Sequence, residues 1–121
     1  MPALKNPLEI RVFTDGASSG NPGPSGWAAI ILWPDSMVQE LGGGERRATN
    51  NRMELLAPIA ALEVIQKRRE SAPILVFSDS TYVIKGITQW STKWEANGWP
   101  DDLANRELWM RLRKLHLTLK P

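Results

Sequence analysis

The stretch Glu9–Leu32, EIRVFTDGASSGNPGPSGWAAIIL, decides the reading of the fold. From 8 to 14 the side chains alternate. Leu8, Ile10, Val12 and Thr14 fall on one face and Arg11, Phe13 and Asp15 on the other, the period of two that marks a strand. Residues 17–26 are small and turn-forming and read as a loop. Residues 27–33, WAAIILW, read as a second strand. A carboxylate at Asp15, where the apolar pattern stops, is costly unless something pairs with it. The strand therefore asks for a partner elsewhere in the chain.

Outward from this stretch, 34–36 read as a turn and 37–44 as a third strand fading into glycines, an antiparallel meander with short connections. Residues 51–68 read as a helix, with Met53, Leu56, Ala57, Ala60, Ala61 and Val64 at helical spacing and a kink or loosened turn expected at Pro58. Lys67, Arg68 and Arg69 close it, where cations suit the helix dipole. The run PILVFSD at 73–79 has the unbroken apolar character of a buried parallel strand. After it, 80–90 predicts a short helix capped by Ser80. Residues 105–114 predict another, with Leu108, Trp109 and Leu112 inward, and 115–119, LHLTL, predict the start of a last strand. Strands that first meander and then alternate with helices predict an α/β protein with a mixed sheet.

Length and composition bound the rest. At 121 residues the chain suits one domain, 1–121. No run reaches the roughly 20 apolar residues of a membrane span, and MPALKNP lacks the apolar core of a signal peptide. With no cysteine there is no disulfide or thiolate metal site, and a cytoplasmic, membrane-free protein is expected. The formal net charge of +2 permits a polyanionic partner without requiring one. Six tryptophans are many for this length, and Trp90, Trp94 and Trp99 fall close together.

Three carboxylates hold special places. Asp15 ends the first strand, Glu54 lies in the first turn of the long helix, and Asp79 lies just past the buried strand. The carboxyl edge of an open α/β sheet is where ligands usually bind. If the first and fourth strands are parallel neighbours, Asp15 and Asp79 end side by side, and Glu54 reaches them from the helix. Converging carboxylates repel one another, and a hard divalent cation with oxygen ligands resolves the repulsion. Two ions roughly 4 Å apart can clamp the attacking and leaving oxygens of a phosphodiester. Each residue also has a plainer reading: Asp15-Gly16 as a turn pair, Asn51 with Glu54 as an N-cap and its partner, and Asp79-Ser80 as turn and cap.

The words FTDGASSGNPGPSGWA, TNNRMELLA and FSDSTYVIKGITQW, in that order and spacing, closely resemble type 1 ribonuclease H from about Arg11 to Trp109. The resemblance implies an RNase H-like five-stranded mixed sheet, its first three strands antiparallel and its last two parallel. It implies hydrolysis of the RNA strand of RNA/DNA hybrids with two Mg²⁺ ions, Mn²⁺ as a possible substitute, leaving 5′-phosphate and 3′-hydroxyl ends. Asp15, Glu54 and Asp79 match the family's metal carboxylates, and Gly16 lets the backbone approach the ligand. Asn50 and Asn51 match residues near the minor groove, where a 2′-hydroxyl separates RNA from DNA, and Asn21 falls in the matching first loop. Arg47 and Thr49 align with residues that hold a DNA-strand phosphate. Trp90, Trp94 and Trp99 match a substrate-binding protrusion, although Trp90 and Trp94 also suit a small satellite core.

The sequence departs from the family in two places. The protrusion, KWEANGWPDD, carries only Lys93 against Glu95, Asp101 and Asp102, which predicts weaker phosphate contact there. No Asp or Glu follows Glu107, so the family's fourth carboxylate, its loop histidine and its C-terminal helix are expected to be missing. His116, the only histidine, reads as structural. Truncation of a longer enzyme would account for this, or a swapped or complementing C-terminal segment would restore the set, and a monomer is expected otherwise. The rival of another class is a hybrid-binding module without catalysis, and retention of all three carboxylates argues against it. A transposase or junction resolvase on the same fold is a more distant rival that TNNRMEL and the tryptophans disfavour.

Overall fold

The computed structural model describes residues 9–121, so the expectations for Leu8 and the N-terminal run lie outside the described residues. Strand β1 (Ile10–Ser18) pairs antiparallel with β2 (Gly23–Leu32), and β2 pairs antiparallel with β3 (Val38–Ala48). Strand β4 (Ile74–Phe77) lies parallel to β1 on its other side, giving the order β3-β2-β1-β4. The alternation read in β1 holds: Ile10 and Val12 are fully buried, while Phe13 is exposed. The strands run further into the turn-rich segment than composition suggested, leaving only 19–22 between them. Gly42–Gly44 stay in the β3 ladder because they face Trp27, Gly26 and their neighbours.

Helix α1 (Asn50–Arg68) packs on the inner face of β1 and β2 and against the last helix, α4 (Arg106–Leu119). Covered from both sides, it buries Met53, Leu55, Ala57, Pro58, Ile59, Ala61, Leu62 and Ile65. That is a broader face than one apolar stripe, so Leu56, Ala60 and Val64 are only half-buried. Its cap is Thr49, whose Oγ1 accepts from Arg52 N at 3.2 Å; Asn51, expected as the cap, lies inside the helix. Pro58 offers no amide hydrogen to the carbonyl of Glu54, one turn earlier.

Helix α2 (Thr81–Lys85) starts at Ser80, whose hydroxyl accepts from Val83 N at 3.1 Å, as expected. A π-helical segment, Gly86–Trp90, joins it to α3 (Ser91–Ala96). Gly86 is required there, since a Cβ would overlap the Trp109 ring.

The last strand is a correction. Among the described residues the sheet has four strands, not five, and α4 continues through 115–119 to Leu119. Leu115, Leu117 and Leu119 alternate, but helical spacing makes a better stripe. Leu108, Leu112 and Leu115 are buried together, and Leu117 is left 48% exposed. His116 is therefore within the last turns of α4, half-buried, with burial first and Arg113 second holding its pKa below the usual imidazole range. No helix among the described residues is long and apolar enough to cross a membrane.

Candidate active site and nucleic-acid interface

The parallel register sets the site. Phe13 faces Phe77 at the end of the β1–β4 ladder, so two residues further on Asp15 and Asp79 come side by side. Asp15 does not end its strand as expected but sits inside β1, paired with Ala28, while Asp79 lies just past β4. Glu54 arrives from α1 because Gly16 lets that helix close on β1. A Cβ at Gly16 would stand 2.6 Å from the Met53 carbonyl carbon and 2.7 Å from Glu54 N. The approach that the sequence assigned to ligand contact is thus filled, on this side, by the helix itself. One carboxylate oxygen from each of Asp15, Glu54 and Asp79 lies within 4.8 Å of the other two.

The electrostatics follow from this crowding. Partial burial, then the charges of Asp79 and Asp15, raise the Glu54 carboxyl above its ordinary 4.5, against the opposing pull of the Gly16 N–H and the Ser80 hydroxyl. The Gly16 N–H itself donates to Asp15 Oδ1 at 2.9 Å. A carboxyl whose folded pKa exceeds its unfolded one adds stability below the unfolded value and loses it as pH rises through the folded value. In chelator, the Glu54 contribution to stability is accordingly expected to decline from about pH 4.5 upward. Thermal melts of the wild type and Glu54→Gln across that range test this: the variant should lack that component of the pH dependence. Identical pH profiles would refute it. The donor set, three hard oxygens with mutual repulsion, fits a divalent cation such as Mg²⁺ or Mn²⁺.

Around the start of α1 the other expected residues gather on one surface. Asn50 and Asn51 are exposed in its first turn. Asn21 is engaged: its Oδ1 accepts from Asn50 N at 3.1 Å and serves as a second cap. Ser18 and Ser25 both donate to the Ala48 carbonyl, at 3.0 and 2.9 Å, and Ser18 also contacts the Gly20 carbonyl. Arg47 is exposed and Thr49, beyond capping, is half-buried.

The tryptophans form a chain of contacts. Trp90, Trp94 and Trp99 are linked by centroid distances of 5.9 and 6.4 Å, and Trp94 rests 5.1 Å from the buried Trp109. The satellite core is thus real for Trp94, and Trp90 is the outermost, 36% exposed. Sequence reasoning missed Tyr82. Its hydroxyl accepts from Trp109 Nε1 at 3.0 Å and from Asn105 Nδ2 at 3.2 Å, tying the helix that follows Asp79 to the start of α4. A single tyrosine in a helix gives no sequence signal for this. Arg52, also missed, donates from Nε to both Glu45 oxygens at 2.9 and 3.1 Å, joining α1 to β3.

A mixed sheet with an acidic triad gathered just past its β1–β4 parallel ladder defines a class. A family model described as RNase H matches residues 7–120. A protein named Ribonuclease H from Bradyrhizobium sp. (strain ORS 278) is 50% identical over 116 residues, covering 93% of this chain and 71% of its own length. The crystal structure of RNase H1 from the halophilic archaeon Halobacterium salinarum NRC-1 superposes with a TM-score of 0.68 at 32% identity, covering 93% of this chain and 77% of that one. The structure of LC11-RNase H1 in complex with RNA/DNA hybrid has the same fold, with a TM-score of 0.66 at 23% identity over 90% of this chain and 77% of that one. The chain belongs to the RNase H family of enzymes.

Proposed function

We propose that the chain, as a single domain over 1–121, hydrolyses the RNA strand of RNA/DNA hybrids with divalent ions held by Asp15, Glu54 and Asp79. The observation that carries this reading is the convergence of those three carboxylates within 4.8 Å in an RNase H fold. The hybrid in the LC11-RNase H1 complex supports the substrate class. Two Mg²⁺ ions, or Mn²⁺, would supply charge stabilisation for in-line attack on the phosphodiester. The chain's own residues fix the geometry: Gly16 seats Glu54 against Asp15, and the β1–β4 register aligns Asp79 with Asp15. Asn50 and Asn51 face the minor groove and read the 2′-hydroxyl, Asn21 holds the turn that presents them, and Arg47 with Thr49 grips a DNA-strand phosphate. Trp90, with Trp94 and Trp99 behind it, offers an aromatic surface to the duplex. A cytoplasmic location fits the cysteine-free composition, and the chain acts as a monomer unless a swapped or complementing C-terminal segment joins it.

With no carboxylate after Glu107, the 121-residue chain is expected to cut slowly in Mg²⁺, which demands near-octahedral coordination, and faster in Mn²⁺, which nitrogen and oxygen donors bind more tightly. The test is a labelled hybrid incubated with the chain in Mg²⁺, Mn²⁺ and chelator. RNA-strand fragments with 5′-phosphates, absent in chelator, support the reading. Hybrid binding without cleavage in either metal would favour the noncatalytic module instead.

A further inference from the structure

Strand β3 breaks its own alternation near its end. Gln39, Leu41 and Glu45 are half-buried, and the next residue to turn inward is Ala48, three positions on rather than two. The ladder gives the cause: Ser25 faces Glu45 and Gly23 faces Ala48, so one step of two residues on β2 opposes three on β3. This is a β-bulge, a device that re-aims side chains next to sites. In a regular strand Arg46 and Arg47 would point to opposite faces. Here both are exposed, and among the described residues neither forms an ion pair. The acid beside them, Glu45, is taken by Arg52. The far end of the bulge is pinned where Ser18 and Ser25 converge on the Ala48 carbonyl.

We propose that Arg46 is a second phosphate-contacting residue, working beside Arg47 on the backbone of the bound duplex. This rests on the hybrid reading above and extends it to a residue outside the matched motifs. Two sequence-adjacent exposed arginines, separated by Ala48 alone from Thr49, Asn50 and Asn51, flank that turn, so a duplex lying over it brings its backbone within reach of both. Guanidinium forks match phosphate oxygens in geometry as well as charge. The need is electrostatic. Lys93 in the tryptophan segment is outnumbered by Glu95, Asp101 and Asp102, whereas duplex binding draws much of its affinity from counterions released at phosphate contacts.

The salt dependence of hybrid affinity tests this, measured by fluorescence anisotropy in chelator so that nothing is cut. Each phosphate contact contributes about 0.9 to the slope of log affinity against log salt, so the affinity advantage of wild type over Arg46→Ala should shrink about 3.5-fold between 50 and 200 mM salt. Arg47→Ala should do the same, and Arg46→Lys should keep the wild-type slope. Lys67→Ala, an exposed cation in the last turn of α1, controls for net charge and should also keep it. A wild-type slope in Arg46→Ala, or an equal loss in Lys67→Ala, overturns the proposal while leaving hybrid recognition intact. Failure of the wild-type chain to bind hybrid at all would overturn both, and shows before any variant is made.

Discussion

Asp79→Asn is expected to reduce RNA-strand hydrolysis by about a thousandfold or more and, in chelator, to raise the melting temperature. Both effects come from one arrangement. Three carboxylates within 4.8 Å concentrate like charge that the unfolded chain does not, and the Asp79 charge, after partial burial, raises the Glu54 pKa. Replacing it with a neutral amide of the same shape relieves that repulsion, so the metal-free fold gains stability. The same change removes a hard anionic donor from the set that fits a divalent ion. Charge stabilisation by a bound metal is worth several kcal/mol in a transition state, and each factor of ten in rate takes about 1.4 kcal/mol. Initial rates in Mg²⁺ and Mn²⁺ beside melts in chelator separate the two effects. A rate within tenfold of wild type, or a lower melting temperature in chelator, would remove Asp79 from the role given to it.

Gly16→Ala should be nearly as damaging, for a steric reason. The new methyl would meet Met53 C at 2.6 Å and Glu54 N at 2.7 Å, both backbone atoms of a helix packed between the sheet and α4. Such atoms do not swing aside as a side-chain end can. The helix must shift away from β1, taking Glu54 with it. Overpacking of this kind costs about 1–3 kcal/mol of stability, and displacement of a catalytic group by about 1 Å can cost about a hundredfold in rate. Gly26→Ala is the matched control. It too lies in a strand, but its Cβ would find only the Gly43 carbonyl oxygen, at an ordinary 3.5 Å. That variant should melt and cleave like wild type. If Gly16→Ala does the same, the close approach of helix and strand is not what sets the site.

Much of this architecture was legible because it depends on short-range patterns. Alternation in 10–14 identified the strand that carries Asp15, and the apolar run at 74–77 the parallel strand that ends just before Asp79, although Leu75 and Phe77 are exposed where that run implied a fully buried strand. Ser80 as a cap and Leu108, Trp109 and Leu112 as core were legible for the same reason: each rests on side-chain identity at fixed helical offsets. What escaped depends on neighbours far along the chain. Thr49 displaced Asn51 as the cap because the β3 ladder runs on to Ala48 and brings the chain into α1 one residue early, at Asn50. The LHLTL segment became helix because α1 offers a surface on which Leu112 and Leu115 bury together, a preference that alternation alone cannot reveal. The bulge at 45–48 left no mark in a run of glycines and arginines, since its register is set by strand β2. The convergence of the triad was legible; the use of Asn21 as a cap and of Tyr82 as a shared acceptor was not, since both are contacts across loops.

Pro58 divides the helix that carries Glu54 into two unequal parts. Each turn of a helix is normally tied to the next by an unbroken series of amide bonds, and here the series has a gap opposite the Glu54 carbonyl. The part before the gap is held by Thr49, by Asn21, by its contact with Gly16 and by the fully buried Met53, Leu55 and Ala57. The part after it is locked into the core by Ile59, Ala61, Leu62 and Ile65. Opening of the part before the gap strips Met53 and Leu55 from the core as well as breaking the caps, so it does not belong to the local end of the range of opening free energies. The carboxylate at Glu54 is thus tied to the hydrophobic body by the buried side chains on either side of it, where the helix's own amide series is interrupted.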